Sequence, residues 1–128
     1  MKKKVLIVVS DYYKDIADSL LKSTKKFLNK KTKLSIIKVP GVFEIPVIIS
    51  KNIKKFDGFV AIGCVIKGKT AHFDLISKSV IDAIMNISID NKKPVGNCVL
   101  TCFNYKQALD RKNKGKEAAL ALNSILYE

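Results

Sequence analysis

Hydrophobic and polar positions along this 128-residue chain fall into blocks whose period switches between that of a strand and that of a helix. Lys4 to Ser10 is a short apolar run rich in β-branched residues, which predicts a strand buried on both faces. From about Lys14 to Asn29 the period lengthens to that of a helix, with Ile16, Leu20, Phe27 and Leu28 toward the core. Leu34 to Val39 predicts a second strand, broken by Pro40-Gly41, and Pro46 suits the first turn of a short helix reaching about Lys55. Phe59 to Ile66, interrupted only by Gly63, predicts a third strand. The helix after it, about His72 to Ile89, carries Phe73, Ile76, Val80, Ile84 and Ile87 on one stripe. Lys92-Lys93-Pro94 is a loop and Val95 to Thr101 a fourth strand. A short helix near Tyr105 to Arg111 and a longer one from Lys116 to Tyr127 follow, with Gly115 as a break or kink between them.

This β-α alternation predicts a four-stranded parallel sheet covered on both faces, a three-layer α/β/α sandwich of flavodoxin-like wind with right-handed crossovers. The length suits one domain spanning residues 1–128, and no repeat, linker or low-complexity stretch divides it. The basic start Met1 to Lys4 before an apolar run resembles a secretory signal. That run is too short, however, and Asp11, Lys14 and Asp15 stand where small cleavage-site residues belong, so it reads as the first strand. No apolar run reaches the roughly 18 residues of a membrane span. A cytoplasmic protein is expected, with Cys64, Cys98 and Cys102 reduced and the first two acting as small core residues at strand ends. Cys98 and Cys102 have no second ligand pair, which argues against a zinc site.

The net charge of +13 raises nucleic-acid binding. Arg111 is nevertheless the only arginine among 24 basic residues, and the aromatic residues, 8% of the chain, are not interleaved with the lysines. Readers of base edges lean on arginine, and single-strand binders need stacking platforms. A lysine-coated surface that favours small anionic substrates is the better reading, with no specific nucleic-acid or membrane partner.

The chemistry gathers where predicted strands end. Ser10-Asp11-Tyr12, Pro40 to Pro46, Lys67 to His72 and, around the fourth strand, Gly96, Asn97 and Thr101 offer aromatic faces, amides, a carboxylate, cations and an imidazole. His72 is the only histidine, and imidazole is the side chain whose unperturbed pKa lies nearest neutrality. It opens a helix whose unpaired N–H groups suit an anion. A lone histidine at such a junction can equally be a plain surface residue. Gly63 to Thr70 satisfies the spacing of a nucleotide P-loop. Yet it follows the third strand, not the first, Val65 and Ile66 still read as strand, and the fourth strand ends in Thr101 instead of an aspartate that would bind magnesium. An NTPase is therefore disfavoured.

Four blocks in this order, PGVFEIP (Pro40–Pro46), GCVIKGKTAHFD (Gly63–Asp74), PVGNCVLT (Pro94–Thr101) and QALDRKNKGKEAA (Gln107–Ala119), resemble the lumazine synthase family over nearly the whole chain. The Gly96-Asn97 pair is similar to an α-proteobacterial branch. The resemblance implies condensation of 5-amino-6-(D-ribitylamino)uracil with 3,4-dihydroxy-2-butanone 4-phosphate to 6,7-dimethyl-8-ribityllumazine, phosphate and water, the penultimate step of riboflavin synthesis. It implies no metal and no organic cofactor. By the same resemblance Tyr12 stacks on the pyrimidine, and Val42, Phe43 and Glu44 hold the ribitylaminouracil. Cys64, Val65 and Ile66 bond the uracil through their backbone, the amides of Lys69 and Thr70 bind phosphate, and His72 transfers protons. Arg111 reaches the phosphate of a neighbouring subunit's site, although alone it could pass for a surface cation.

Departures from the family pattern bear on these expectations. Asn97 stands where many members place a phenylalanine over the pyrimidine. The segment after Arg111 is short, and Lys114 stands in for a missing lysine. No N-terminal extension of the kind used by icosahedral members precedes the first strand. The resemblance implies a homopentamer, with a 60-subunit shell left open. The competing reading is a non-catalytic, flavin- or lumazine-binding homologue.

Overall fold

A computed structural model describes residues 2–127. The chain runs β1 (Lys4–Ser10), α1 (Lys14–Phe27), β2 (Lys33–Val39), a 3₁₀ turn (Val42–Glu44), α2 (Ile45–Lys51), β3 (Gly58–Ile66), α3 (His72–Asn91), β4 (Val95–Cys102), α4 (Tyr105–Asp110) and α5 (Gly115–Leu126). All strand pairs are parallel and the sheet order is β2-β1-β3-β4. The central strands β1 and β3 are buried almost throughout, as their unbroken apolar runs require. Val5, Ile7, Val60, Ile62, Cys98 and Leu100 pack against α1 and α5 on one face. Leu6, Val8, Phe59, Ala61 and Val99 pack against α2 and α3 on the other. The result is the three-layer, flavodoxin-like α/β/α architecture. No helix among the described residues is long and apolar enough to cross a membrane.

Most predicted boundaries hold to within a few residues, and the departures have local causes. α1 stops at Phe27 because Leu28 turns extended (φ −66°, ψ 148°). Phe27 is consequently only half-buried, its ring flanked by the ammonium groups of Lys26 and Lys116 at 5.6 and 4.9 Å. The segment after Pro40-Gly41 winds first as a 3₁₀ turn, and α2 is shorter than predicted. α3 runs two residues further and stops at Lys92, which adopts the left-handed conformation (φ 53°) that closes many helices.

Gly115 does not kink a helical run; it is the first residue of α5. There α5 meets α1 so closely that a Cβ would lie 2.4 Å from the Leu20 carbonyl oxygen and 2.3 and 2.5 Å from the hydroxyls of Ser23 and Thr24. Both hydroxyls donate to that same carbonyl. Gly63 has a comparable reason inside β3. A Cβ there would meet Val42 Cγ1 at 2.5 Å, so the bare backbone lets the 3₁₀ turn settle on the end of the sheet.

Candidate active site

The strand order reverses between β1 and β3, since β1 leads outward to β2 while β3 leads the other way to β4. Adjacent loops diverge at such a switch point and leave a crevice beyond the carboxyl ends of the strands. A cavity of about 300 Å³ lies there. It brings together seven of the residues singled out from the sequence: Tyr12, Val42, Phe43, Cys64, Val65, Ile66 and His72. Ser10, Tyr13, Gly41 and Ile76 also line it. Of these, Ser10 was visible as a polar strand end, whereas the inward turn of Tyr13 and Ile76 depends on how α1 and α3 pack.

Each group is held by its element. Tyr12 follows β1 directly and is exposed, its ring edge-on to Tyr13 at 5.0 Å, and Tyr13 in turn leans on Tyr105. Phe43 rides the 3₁₀ turn with its ring exposed, while Val42 beside it anchors the turn in the core. His72 is the first residue of α3, and its N–H donates to Thr70 Oγ1 at 3.3 Å. Its imidazole is exposed and makes no hydrogen bond among the described residues. Burial, with Tyr12 and Cys64 beside it, raises the Tyr13 phenol above its ordinary value. Burial, reinforced by Cys102, pushes the Cys64 thiol up to about 12, so it serves as neutral lining and not as a nucleophile.

Other expected site residues lie elsewhere. Glu44 lines the neighbouring groove at α2 and α3, and its Oε1 lies 3.1 Å from where a Cβ of cleft-lining Gly41 would stand. Lys69 and Thr70 are exposed on the loop that leads to α3, outside the cavity lining. Asn97 does not sit at a strand end: it pairs with Ala61 near the middle of the sheet, because β4 starts alongside Phe59. Asn97, Arg111 and Lys114 instead share a second, smaller cavity of about 180 Å³ with the edge of β4. Arg111 caps α4, and its guanidinium donates to Cys102 Sγ at 3.7 Å. No carboxylate among the described residues lies within ion-pair distance of it, so its positive charge is available to an anion. Among the described residues Lys114 pairs only with exposed Glu117, at 3.7 Å. The chain thus carries two separate groups of site residues: an aromatic cleft with the imidazole, and a cationic patch with the arginine.

Gly63 to Ile66, the first half of the P-loop spacing, is regular strand paired with β4. It runs as extended strand, paired with β4 on one side and beyond the end of the β1 pairing on the other, and does not curl into the loop that cradles a phosphate, which removes the NTPase reading.

Cys98 belongs to the core at the middle of β4, not at a strand end. Burial pushes its thiol from 9.0 up to about 12. The unfolded chain therefore loses this proton first, and stability is expected to fall as pH rises from 9.0 toward about 12. Denaturant titrations of Cys98→Ala across that window should show a flatter slope, by up to about 1.4 kcal/mol per pH unit. An unchanged slope would mean that the Cys98 thiol ionises as readily in the folded chain as in the unfolded one.

A parallel three-layer α/β protein with a small-molecule cleft at its topological switch point is the class that fold and site define. Within that class, the family model for 6,7-dimethyl-8-ribityllumazine synthase matches residues 2–127. Relatives of that name include those of Corynebacterium kroppenstedtii, 39% identical across 92% of this chain and 79% of the relative, and Bartonella tribocorum, 40% identical across 98% and 92%. The relative from Agrobacterium fabrum is 38% identical across 98% and 93%. The chain belongs to the 6,7-dimethyl-8-ribityllumazine synthase family.

Proposed function

We propose that this protein condenses 5-amino-6-(D-ribitylamino)uracil with 3,4-dihydroxy-2-butanone 4-phosphate, giving 6,7-dimethyl-8-ribityllumazine, phosphate and water. It is a transferase of riboflavin biosynthesis acting on small molecules. The observation that carries the reading is the cleft at the β1/β3 switch point. There one imidazole stands beside the aromatic faces of Tyr12 and Phe43 and the backbone of Cys64 to Ile66, in a chain of this family. In the reading, Tyr12 stacks on the pyrimidine, Val42, Phe43 and Glu44 hold its ribityl end, and the end of β3 offers its backbone to the uracil.

The 5-amino nitrogen adds to the ketone carbonyl and a water leaves to form the imine. Phosphate is then eliminated, and the ribitylamino nitrogen closes the ring with loss of a second water. Each step moves protons, and an exposed imidazole free of internal hydrogen bonds can take and return them. The departing phosphate needs fixed positive charge and aligned donors. The amides of Lys69 and Thr70, on the loop that leads to α3, supply donors, and a guanidinium fits phosphate in two-point fashion.

Arg111, with Asn97 and Lys114, is assigned to the site of a neighbouring subunit. Within one chain these residues line a different cavity from His72, which supports this. Head-to-tail contacts that each unite an aromatic cleft with a cationic patch close into a ring. A homopentamer of single-domain chains, residues 1–128, is the proposed unit, and no nucleic-acid or membrane partner is included. The non-catalytic reading raised by Asn97 and the short tail finds no observation in its favour.

Mixing both substrates with the protein is the test. Lumazine absorbance and fluorescence should grow well above the uncatalysed rate, from particles that scatter light as about five chain masses. A rate no higher than background would refute catalysis, and a fully active monomer would refute the shared site.

A further inference from the structure

Ser10 ends β1 at the floor of the cleft and is only 2% exposed, yet its hydroxyl has no hydrogen-bond partner among the described residues. Buried hydroxyls are nearly always paired, because an orphaned one forfeits its bonds to water without replacement. Its surroundings explain why none is found. A Cβ on bare Gly63 would stand 3.4 Å from Ser10 Cβ, 2.5 Å from Val42 Cγ1 and 3.6 Å from Ile45 Cδ1, so the side-chain atoms that crowd this point are carbon. Ser10 pairs with Val39 of β2, while the ladder to β3 ends one residue earlier at Val9 and Ile62. Ser77 carries the other such hydroxyl among the described residues, on α3 and outside the cleft lining.

We propose that Ser10 Oγ is a substrate-binding group, making with the ribitylaminouracil the hydrogen bond that the folded chain leaves unmade. The inference rests on the functional reading above and adds to it a residue which the family resemblance did not supply. A neutral hydroxyl among Gly41, Val42, Phe43 and Tyr12 suits an uncharged polar atom of the pyrimidine or its polyol chain. The phosphate substrate calls for the cationic and amide groups of Lys69, Thr70 and Arg111, none of which lines this cleft. A hydroxyl left unpaired until substrate arrives favours the complex over the free protein, and it discriminates against analogues that lack the matching atom.

The test compares calorimetric affinity for ribitylaminouracil alone with melting temperature in the intact oligomer, for wild type, Ser10→Ala and Ser77→Ala. Ser10→Ala should bind about 3- to 10-fold more weakly, the usual worth of one neutral hydrogen bond, while melting no lower than wild type. Ser77→Ala removes an equally unpaired hydroxyl and should leave affinity unchanged. Equal affinity of wild type and Ser10→Ala would overturn the assignment. So would a melting temperature that falls with the affinity, because the hydroxyl would then have an internal partner. A wild-type protein that neither binds the pyrimidine nor forms lumazine would instead refute the functional reading itself.

Discussion

His72→Ala should turn over about 10- to 100-fold more slowly than wild type, with substrate affinity changed little. General acid–base catalysis is ordinarily worth about 10² to 10⁴, and the spontaneous background of this condensation sets a floor that narrows the range. The structure makes the experiment clean. The imidazole is exposed at the first turn of α3, makes no side-chain hydrogen bond among the described residues, and lies outside both core clusters. Its removal should therefore leave the melting temperature within about 2 °C, the range of an ordinary surface change. Loss of rate without loss of stability assigns the effect to proton transfer. A wild-type rate in His72→Ala would remove the residue from the mechanism.

Gly115→Ala should be the most damaging of the glycine-to-alanine changes. The new Cβ would overlap the Leu20 carbonyl oxygen and the hydroxyls of Ser23 and Thr24. The carbonyl is main chain in the middle of α1 and cannot swing away as a side-chain tip can. Either α5 lifts from α1 or the hydroxyl bonds at 3.1 and 2.8 Å are lost. Overpacking costs about 1 to 3 kcal/mol, and an overlap with main chain belongs at the top of that range, a large part of the stability of a small domain. For a chain of this size that is a fall of roughly 10 to 15 °C in melting temperature. Gly68→Ala is the control, since nothing lies within 4 Å of its added Cβ, and it should melt like wild type. A Gly115→Ala protein that also melts like wild type would mean that the two helices do not approach so closely.

The sequence was most legible where one property decides the outcome. β1 and β3 are buried on both faces, so their apolar runs read directly as strands, and the stripe from Phe73 to Ile87 placed α3 to within two residues. It was least legible where the outcome depends on register or on contacts between distant segments. Asn97 was expected at a strand end with His72, but β4 starts level with Phe59, and only pairing across the sheet reveals that offset. Gly115 read as a break because its close neighbour, α1, is about ninety residues away along the chain. Ser10 passed as one polar residue among several, since its isolation comes from the bare Gly63 backbone and Val42. The four blocks that carry the family resemblance listed site residues in chain order. Their division between two cavities is a property of the folded sheet alone.

That division leads to the most direct measurement. In the proposed ring every site takes one residue from each of two neighbours, so neither His72→Ala nor Arg111→Ala rings would contain a complete site. When the two proteins are dissociated, mixed equally and allowed to reassemble, each interface has about one chance in four of uniting an intact His72 with an intact Arg111. The mixture should thus recover about a quarter of the wild-type rate in excess of what either variant shows alone. No recovery, in rings proven by mass to contain both variants, would place the two residues in the same subunit's site and contradict the account.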